Sequence, residues 1–126
     1  MPKQVLTLEP GQRPRGMSQG TRAGDFLFIS GQIGRDATGK TSPSFEVQAR
    51  QVFKNMEAVL ATAGAKLSDV TKITCFVTNF DNLPIYRKVR EEVFPSDPPA
   101  SSTVVVASLA GREYLIEVEA IAALKG

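Results

Sequence analysis

The sequence predicts an α+β domain in which a mixed sheet carries two helices on one face. Three observations lead there. Two stretches repeat apolar residues at three- and four-residue steps, several short runs are rich in β-branched residues, and the two classes alternate along the chain. The length of 126 residues fits a single domain spanning 1–126.

Taken in order, Val5 and Thr7 with Leu6 and Leu8 suggest a short first strand ended by Pro10-Gly11. The polar stretch from Gln12 to Gly20 reads as a loop, and Arg22-Ala23-Gly24-Asp25 as a turn. The run Phe26-Leu27-Phe28-Ile29-Ser30 is apolar at successive positions, which suits a strand buried on both faces. Asp36 to Lys40 reads as an exposed turn.

Ser44 through Ala63 is the clearest helix. Ala49, Val52, Phe53, Met56, Val59, Leu60 and Ala63 form one apolar stripe. Ser42 or Ser44 can supply its N-cap, and Gly64 stands where a left-handed glycine ends a helix. Val70 to Thr78 follows as a strand with Ile73, Cys75 and Val77 on one face. Asp81 can cap a second helix that tolerates Pro84 in its first turn, turns Ile85, Tyr86, Val89 and Val93 inward, and stops at Pro95. Strands at Thr103–Val106 and Tyr114–Ala123 complete the chain.

Both helices are amphipathic on one side only, so both should cover one face of the sheet. Phe26 or Leu27, Phe76 and Val105 then need another cover. Burying a large apolar side chain is worth roughly 1.5–3 kcal/mol, so several left in water favour association. An oligomer is the expectation.

Composition narrows the function classes. With 42% hydrophobic and 22% charged residues the chain is ordinary globular material. Fifteen basic against thirteen acidic residues leave a formal charge of +2, too little to argue for a nucleic-acid or membrane partner. A single cysteine, Cys75, gives no disulfide framework and points to a reducing compartment. The N-terminus lacks the apolar segment of a signal peptide, and no apolar run reaches 18 residues, so a cytoplasmic protein is expected. The absence of histidine removes Ser-His-Asp and Cys-His catalysis and argues against a catalytic zinc site. Cys75 lies in an apolar strand without a neighbouring base and reads as a buried structural thiol. Gly31 and Gly34 suit backbone turns better than phosphate binding.

Four segments, in order and spacing, resemble the RidA/YjgF family over nearly the whole chain. Phe28-Ile29-Ser30-Gly31-Gln32-Ile33 looks like its SGQI element, and Gln48-Ala49-Arg50-Gln51 with Asn55 is similar to its QARQ…N helix. Lys72 to Thr78 matches its following strand, and Ile116-Glu117-Val118-Glu119-Ala120-Ile121-Ala122 its IEIEAIA tail. The resemblance implies a chorismate-mutase-like fold with a mixed six-stranded sheet in the order ββ(β)αβαββ. It further implies a homotrimer with small-molecule clefts between subunits and hydrolysis of 2-imino or 2-enamino acids to 2-keto acids plus ammonia, with no cofactor or metal. The ligand would be a small carboxylate-bearing metabolite.

Carried over position by position, the resemblance makes Glu119 the residue that positions the attacking water. Met17, Ser30, Gly31, Arg87, Ala100, Ser101 and Thr103 become the ligand-binding residues. Period-two alternation independently puts Glu117 and Glu119 on the face opposite Ile116, Val118 and Ala120. Either glutamate could instead stabilise a subunit interface, Glu117 more readily. Imine-hydrolysing members carry an arginine after the Pro-Ala of the fifth strand, where this chain has Ser101 after Pro99-Ala100. Such an arginine grips a carboxylate through a fork of donors that a serine lacks. A tyrosine of the N-terminal loop is replaced by Met17, and an asparagine of the second helix by Arg87. Arg87 could restore an anion anchor or be a solvated helix residue. The Ser101-Ser102-Thr103 cluster could offer hydroxyls to an anion or only open a strand.

Three functions follow: a hydrolase of an imine, enamine or related C–N bond; a trimeric metabolite-binding regulator without chemistry; and the ribonuclease or translation-inhibitor role of some relatives. The last has least support, because the chain lacks a basic stripe and an aromatic stacking pattern.

Overall fold

The computed structural model describes residues 2–6 and 16–124. In chain order its elements are β1 (Gln4–Val5), β2 (Gly20–Ala23), β3 (Phe26–Ile33), α1 (Phe45–Ala61), β4 (Val70–Val77), α2 (Leu83–Val93), β5 (Ala100–Val105) and β6 (Ile116–Ala123). One six-stranded sheet has the order β1-β2-β3-β6-β4-β5. Its neighbours are antiparallel except β4 and β5, which run parallel with α2 as the crossover.

Strand alternation decides which face meets the helices. Leu27 and Ile29 of β3, Ile73, Cys75 and Val77 of β4, and Ile116, Val118 and Ala120 of β6 are buried. They pack on Val52, Phe53, Met56 and Leu60 of α1 and on Tyr86 and Val89 of α2 in one apolar core. Ser44 caps α1 by accepting from the Val47 amide at 3.3 Å. Gly64, at φ 72°, reverses the chain after the helix, and the Ala65 amide donates back to the Leu60 carbonyl at 3.0 Å.

The family-like helix motif is a set of backbone ties. Buried Gln48 donates through Nε2 to the Ser42 carbonyl at 2.8 Å and the Glu113 carbonyl at 2.9 Å, and its Oε1 accepts from the Leu115 amide at 2.9 Å. It thereby fastens the turn that leads into β6. Asn55 Nδ2 donates to the carbonyls of Ile33 at 2.9 Å and Arg35 at 2.8 Å, tying the end of β3 to α1, and Gln51 orients it through a 2.8 Å bond. Arg50 faces outward and pairs with Glu46 and Glu92.

Several expectations are corrected. Gly20 to Ala23, expected as loop and turn, is a strand, because it pairs with Phe26–Ile29 and leaves only Gly24-Asp25 at the turn. Its side chains alone carry no strand periodicity. The run from Phe26 is buried on one face only, since Phe26 and Phe28 are 47% and 44% exposed within the chain. Asp81 does not cap α2. It lies inside a 3-10 turn, Phe80–Asn82, started by Asn79, whose side chain accepts from the Asp81 amide at 2.9 Å. Pro84 does occupy the first turn of α2. The fifth strand begins at Ala100 and the sixth at Ile116. Thr7, Pro10-Gly11 and the start of the Gln12–Gly20 stretch lie outside the described residues.

Candidate functional site

The face of the sheet turned away from the helices carries the candidate acid residues. Between the pairs Ile29↔Ala120 and Gln32↔Val118 the register of β3 and β6 shifts. Two residues of β3, Ser30 and Gly31, therefore stand opposite one residue of β6, Glu119. This is a β-bulge, a device that re-aims side chains and breaks the ladder locally.

The SGQI residues build and hold that bulge. Ser30 Oγ donates to the Ser18 carbonyl at 2.6 Å, and the Ser30 amide donates to the Gln19 carbonyl at 2.8 Å. Gln32 is buried and donates through Nε2 to Gln19 Oε1 at 2.8 Å and to the Ser30 carbonyl at 2.9 Å. The segment carrying Met17 is thus laced to the bulge, with Met17 itself 49% exposed. Ser30 serves here through its backbone and a structural hydroxyl bond.

Glu117 and Glu119 share this face, with Phe76 and Thr74 of β4 as their neighbours. Glu117 is half-buried against Gly31, where a Cβ would come within 2.6 Å of Glu117 Cδ. Burial, and then the charge of Glu119, push the Glu117 carboxyl above the usual carboxylate range. Glu119 is exposed and open to a ligand or to water. Across β4, Thr74 pairs with both Glu119 and Ser102, so these three lie in one row, and Lys72 Nζ donates to Ser102 Oγ at 2.8 Å.

The fifth-strand candidates fall elsewhere. Ser101 and Thr103 pair with Ile73 and Cys75, whose side chains enter the helix-side core, so both belong to that face at the sheet edge. Ala100 pairs with Lys72. Arg87 is exposed on α2, and the arginine that meets Ser101 is Arg90, one turn further on. Arg90 Nη1 donates to Ser101 Oγ at 3.3 Å while its guanidinium stands 5.3 Å from the centroid of the Tyr86 ring. The Tyr86 ring is buried, and its hydroxyl has no hydrogen-bond partner among the described residues. Burial raises the Tyr86 hydroxyl well above its ordinary range and pushes the adjacent Cys75 thiol up to about 12, with the Arg90 charge pulling weakly against both. Cys75 is buried and free, as expected.

The eight candidates therefore form two groups within the chain. Met17, Ser30, Gly31 and Glu119 gather around the bulge, whereas Ala100, Ser101 and Thr103 lie on β5 at the sheet edge and Arg87 is exposed on α2. Two strands, β6 and β4, separate β3 from β5, a spacing of roughly 14 Å at about 4.8 Å per strand. Sequence reasoning missed Arg90, Tyr86, Gln19 and Gln32. Tyr86 had been placed on the inward face of α2, and an arginine four residues on is its neighbour along the helix; that spacing was the available signal. Among the described residues no group of acidic or cysteine side chains could hold a metal ion, and no helix is long and apolar enough to cross a membrane.

Comparison with known proteins agrees with this architecture. The family model for Endoribonuclease L-PSP matches residues 11–124. A 2-iminobutanoate/2-iminopropanoate deaminase of Dermatophagoides farinae is 37% identical, the match covering 98% of each chain. A RutC family protein of Pyrococcus horikoshii is 39% identical over 95% of this chain and 97% of its own. Among solved structures, a Rid family protein of Yersinia pestis superposes with a TM-score of 0.89 at 34% identity, covering 98% of this chain and 100% of that one. Yeast Mmf1 superposes at 0.90 with 29% identity and the same coverage. The fold is the chorismate-mutase-like one, and with this sequence and structural match across nearly its whole length the chain belongs to the RidA/YjgF, or endoribonuclease L-PSP, family.

Proposed function

We propose that this protein hydrolyses the C=N bond of a small 2-imino acid, or its 2-enamino tautomer, giving a 2-keto acid and ammonia. The observation that carries the reading is the Ser30–Gly31 bulge, which leaves the exposed Glu119 carboxylate facing an interrupted ladder. The relative named as a 2-iminobutanoate/2-iminopropanoate deaminase supplies the reaction class.

In this mechanism Glu119 holds a water and takes its proton as the oxygen bonds to the imine carbon. The C=N π electrons move to nitrogen, which takes that proton from Glu119, giving a neutral carbinolamine. Glu119 then carries the hydroxyl proton to the amine nitrogen as the C=O bond forms, and the C–N electrons leave with the protonated nitrogen as ammonia.

The site is completed by a neighbouring subunit in a homotrimer. Support comes from Phe26, Phe28 and Val104, 44–47% exposed on the helix-free side of the sheet, and from the separation of the bulge and the β5 edge within one chain. A second reading, a trimeric metabolite-binding regulator, is favoured by one observation: Ser101 stands where imine-hydrolysing members carry arginine.

The deciding experiment generates 2-iminopropionate with an amino-acid oxidase and measures its hydrolysis in competition with semicarbazide. Wild-type turnover that falls at least about 100-fold in Glu119→Ala establishes the hydrolase. No wild-type turnover, with activity appearing in Ser101→Arg, overturns the 2-imino acid reading and means that the native pocket serves another substrate or only binds. A salt-sensitive RNA affinity with cleavage, and no imine turnover, would move the assignment to the ribonuclease role.

A further inference from the structure

We propose that Arg90, laid against the Tyr86 ring and steered by the Ser101 hydroxyl, is this protein's carboxylate anchor, supplied from α2 instead of from the fifth strand. The choice of a 2-keto or 2-imino acid as ligand rests on the function proposed above. The anchor itself rests on separate observations.

Position 101 has lost the charge and fork that grip a carboxylate, and the nearest guanidinium reaches the same place from another element. Arg90 Nη1 already contacts Ser101 Oγ at 3.3 Å, a long bond that uses one of five N–H donors. Arg90 makes no ion pair among the described residues, whereas Arg50, on the neighbouring helix, is held by both Glu46 and Glu92. Its remaining donors are therefore not spent on a carboxylate of the described residues. The Tyr86 ring 5.3 Å away restricts the guanidinium plane, so less side-chain freedom is lost when an anion binds.

Tyr86 holds this corner together. Its hydroxyl is buried without a well-formed hydrogen bond among the described residues, and the polar groups that face it are Cys75 and Ser101. Buried polar groups are almost always partnered, which favours a bond to one of these two. Ser101 is adjacent. A small hydroxyl movement lets Tyr86 donate to Ser101 Oγ, which turns the serine proton and the Arg90 fork outward together. A carboxylate seated there would receive charge-assisted bonds from Arg90 and a neutral one from Ser101. Arg87, the alternative on the same helix, is exposed, and the hydrogen bond to Ser101 comes from Arg90.

The test titrates the native oligomer with pyruvate, the keto-acid product of 2-iminopropionate, by calorimetry, with acetone as the uncharged control. Saturable pyruvate binding is expected, with no acetone competition. Arg90→Gln should weaken it at least 10-fold, Arg90→Lys by an intermediate factor, and Ser101→Ala by about 3-fold. Lys88→Gln, at an exposed charge on the same helix, should leave it unchanged. In the imine assay Arg90→Gln should raise KM far more than it lowers kcat. Folding of each variant is checked by its thermal transition, and Arg90→Lys keeps the charge and stem should Arg90→Gln not fold.

Glu119-dependent turnover with KM and pyruvate affinity untouched by either Arg90 variant overturns the anchor and leaves the hydrolase standing. Arg90-dependent pyruvate binding without any imine turnover does the reverse. A change of oligomeric state in both Arg90 variants, with pyruvate affinity per folded site unaltered, assigns Arg90 to a subunit contact and also overturns the anchor.

Discussion

Gly31 and the Glu117 carboxyl occupy adjoining space so closely that a Cβ at position 31 would stand 2.6 Å from Glu117 Cδ and 2.8 Å from its Cγ. The glycine is needed for room, with the side chain of Glu117 filling the place a larger residue would take. Gly31→Ala should therefore destabilise the fold by about 1–3 kcal/mol, the usual cost of overpacking. Most of that penalty should disappear in a Glu117→Ala background, because the atoms in conflict belong to Glu117. A double-mutant cycle by denaturant unfolding reads the coupling, and additive penalties would show that the glycine is required for backbone reasons alone.

Burial comes first and the charge of Glu119 second among the causes that raise the Glu117 carboxyl. A raised acid binds its proton more tightly in the folded than in the unfolded chain. Above the unfolded value of about 4.5 the native state must give up a proton it prefers, so stability falls as pH rises through the folded value. Glu117→Gln removes that dependence. The variant should be more stable than wild type at pH 7 and lose its advantage below pH ~4.5, which unfolding curves across that range can check.

Gln48 satisfies the Glu113 carbonyl and Leu115 amide at the entrance to β6 and the Ser42 carbonyl ahead of α1, and it is fully buried. Gln48→Met keeps the volume but leaves those groups unpaired, at about 1–3 kcal/mol for a buried group left unsatisfied. A loss of roughly 3–5 kcal/mol is expected, with faster hydrogen exchange at Leu115 as the local signature. The same change should loosen Glu117 and Glu119 one and three residues further along the strand start.

The Cys75 thiol, pushed up to about 12 by burial, should be unreactive in the native protein at pH 8. Ellman's reagent should register no thiol until denaturant is added, then one per chain. Rapid native labelling would show that the β4 core opens locally.

The glutamate-bearing strand, the long helix and the one-sided amphipathic pattern were all legible in the residues, because alternation at periods of 2 and 3.6 is written locally. So was the inward placement of Ile73, Cys75 and Val77. The Gly20–Ala23 strand was not, since its pairing with β3 is a backbone relation to which Thr21, Arg22 and Ala23 contribute no periodic signal. Asp81 as a cap failed for a similar reason: Asn79 two residues earlier offered the same chemistry, and the 3-10 turn used it first.

By itself the sequence determined the two helices, the strands with clear alternation, the shared face of Glu117 and Glu119, and the serine at position 101. Only the tertiary structure decided which arginine of α2 meets Ser101. Arg87 and Arg90 differ by three residues on one short helix, and the spacing from Tyr86 ties Arg90 to that ring without saying that either reaches β5. The parallel pairing of β4 with β5 carries Ser101 to the helix side beside Ile73, and the burial of Tyr86 sets the rotation of α2. Those two long-range constraints aim Arg90 at Ser101 and leave Arg87 exposed, because a helix fixed at one face has no freedom left at the others.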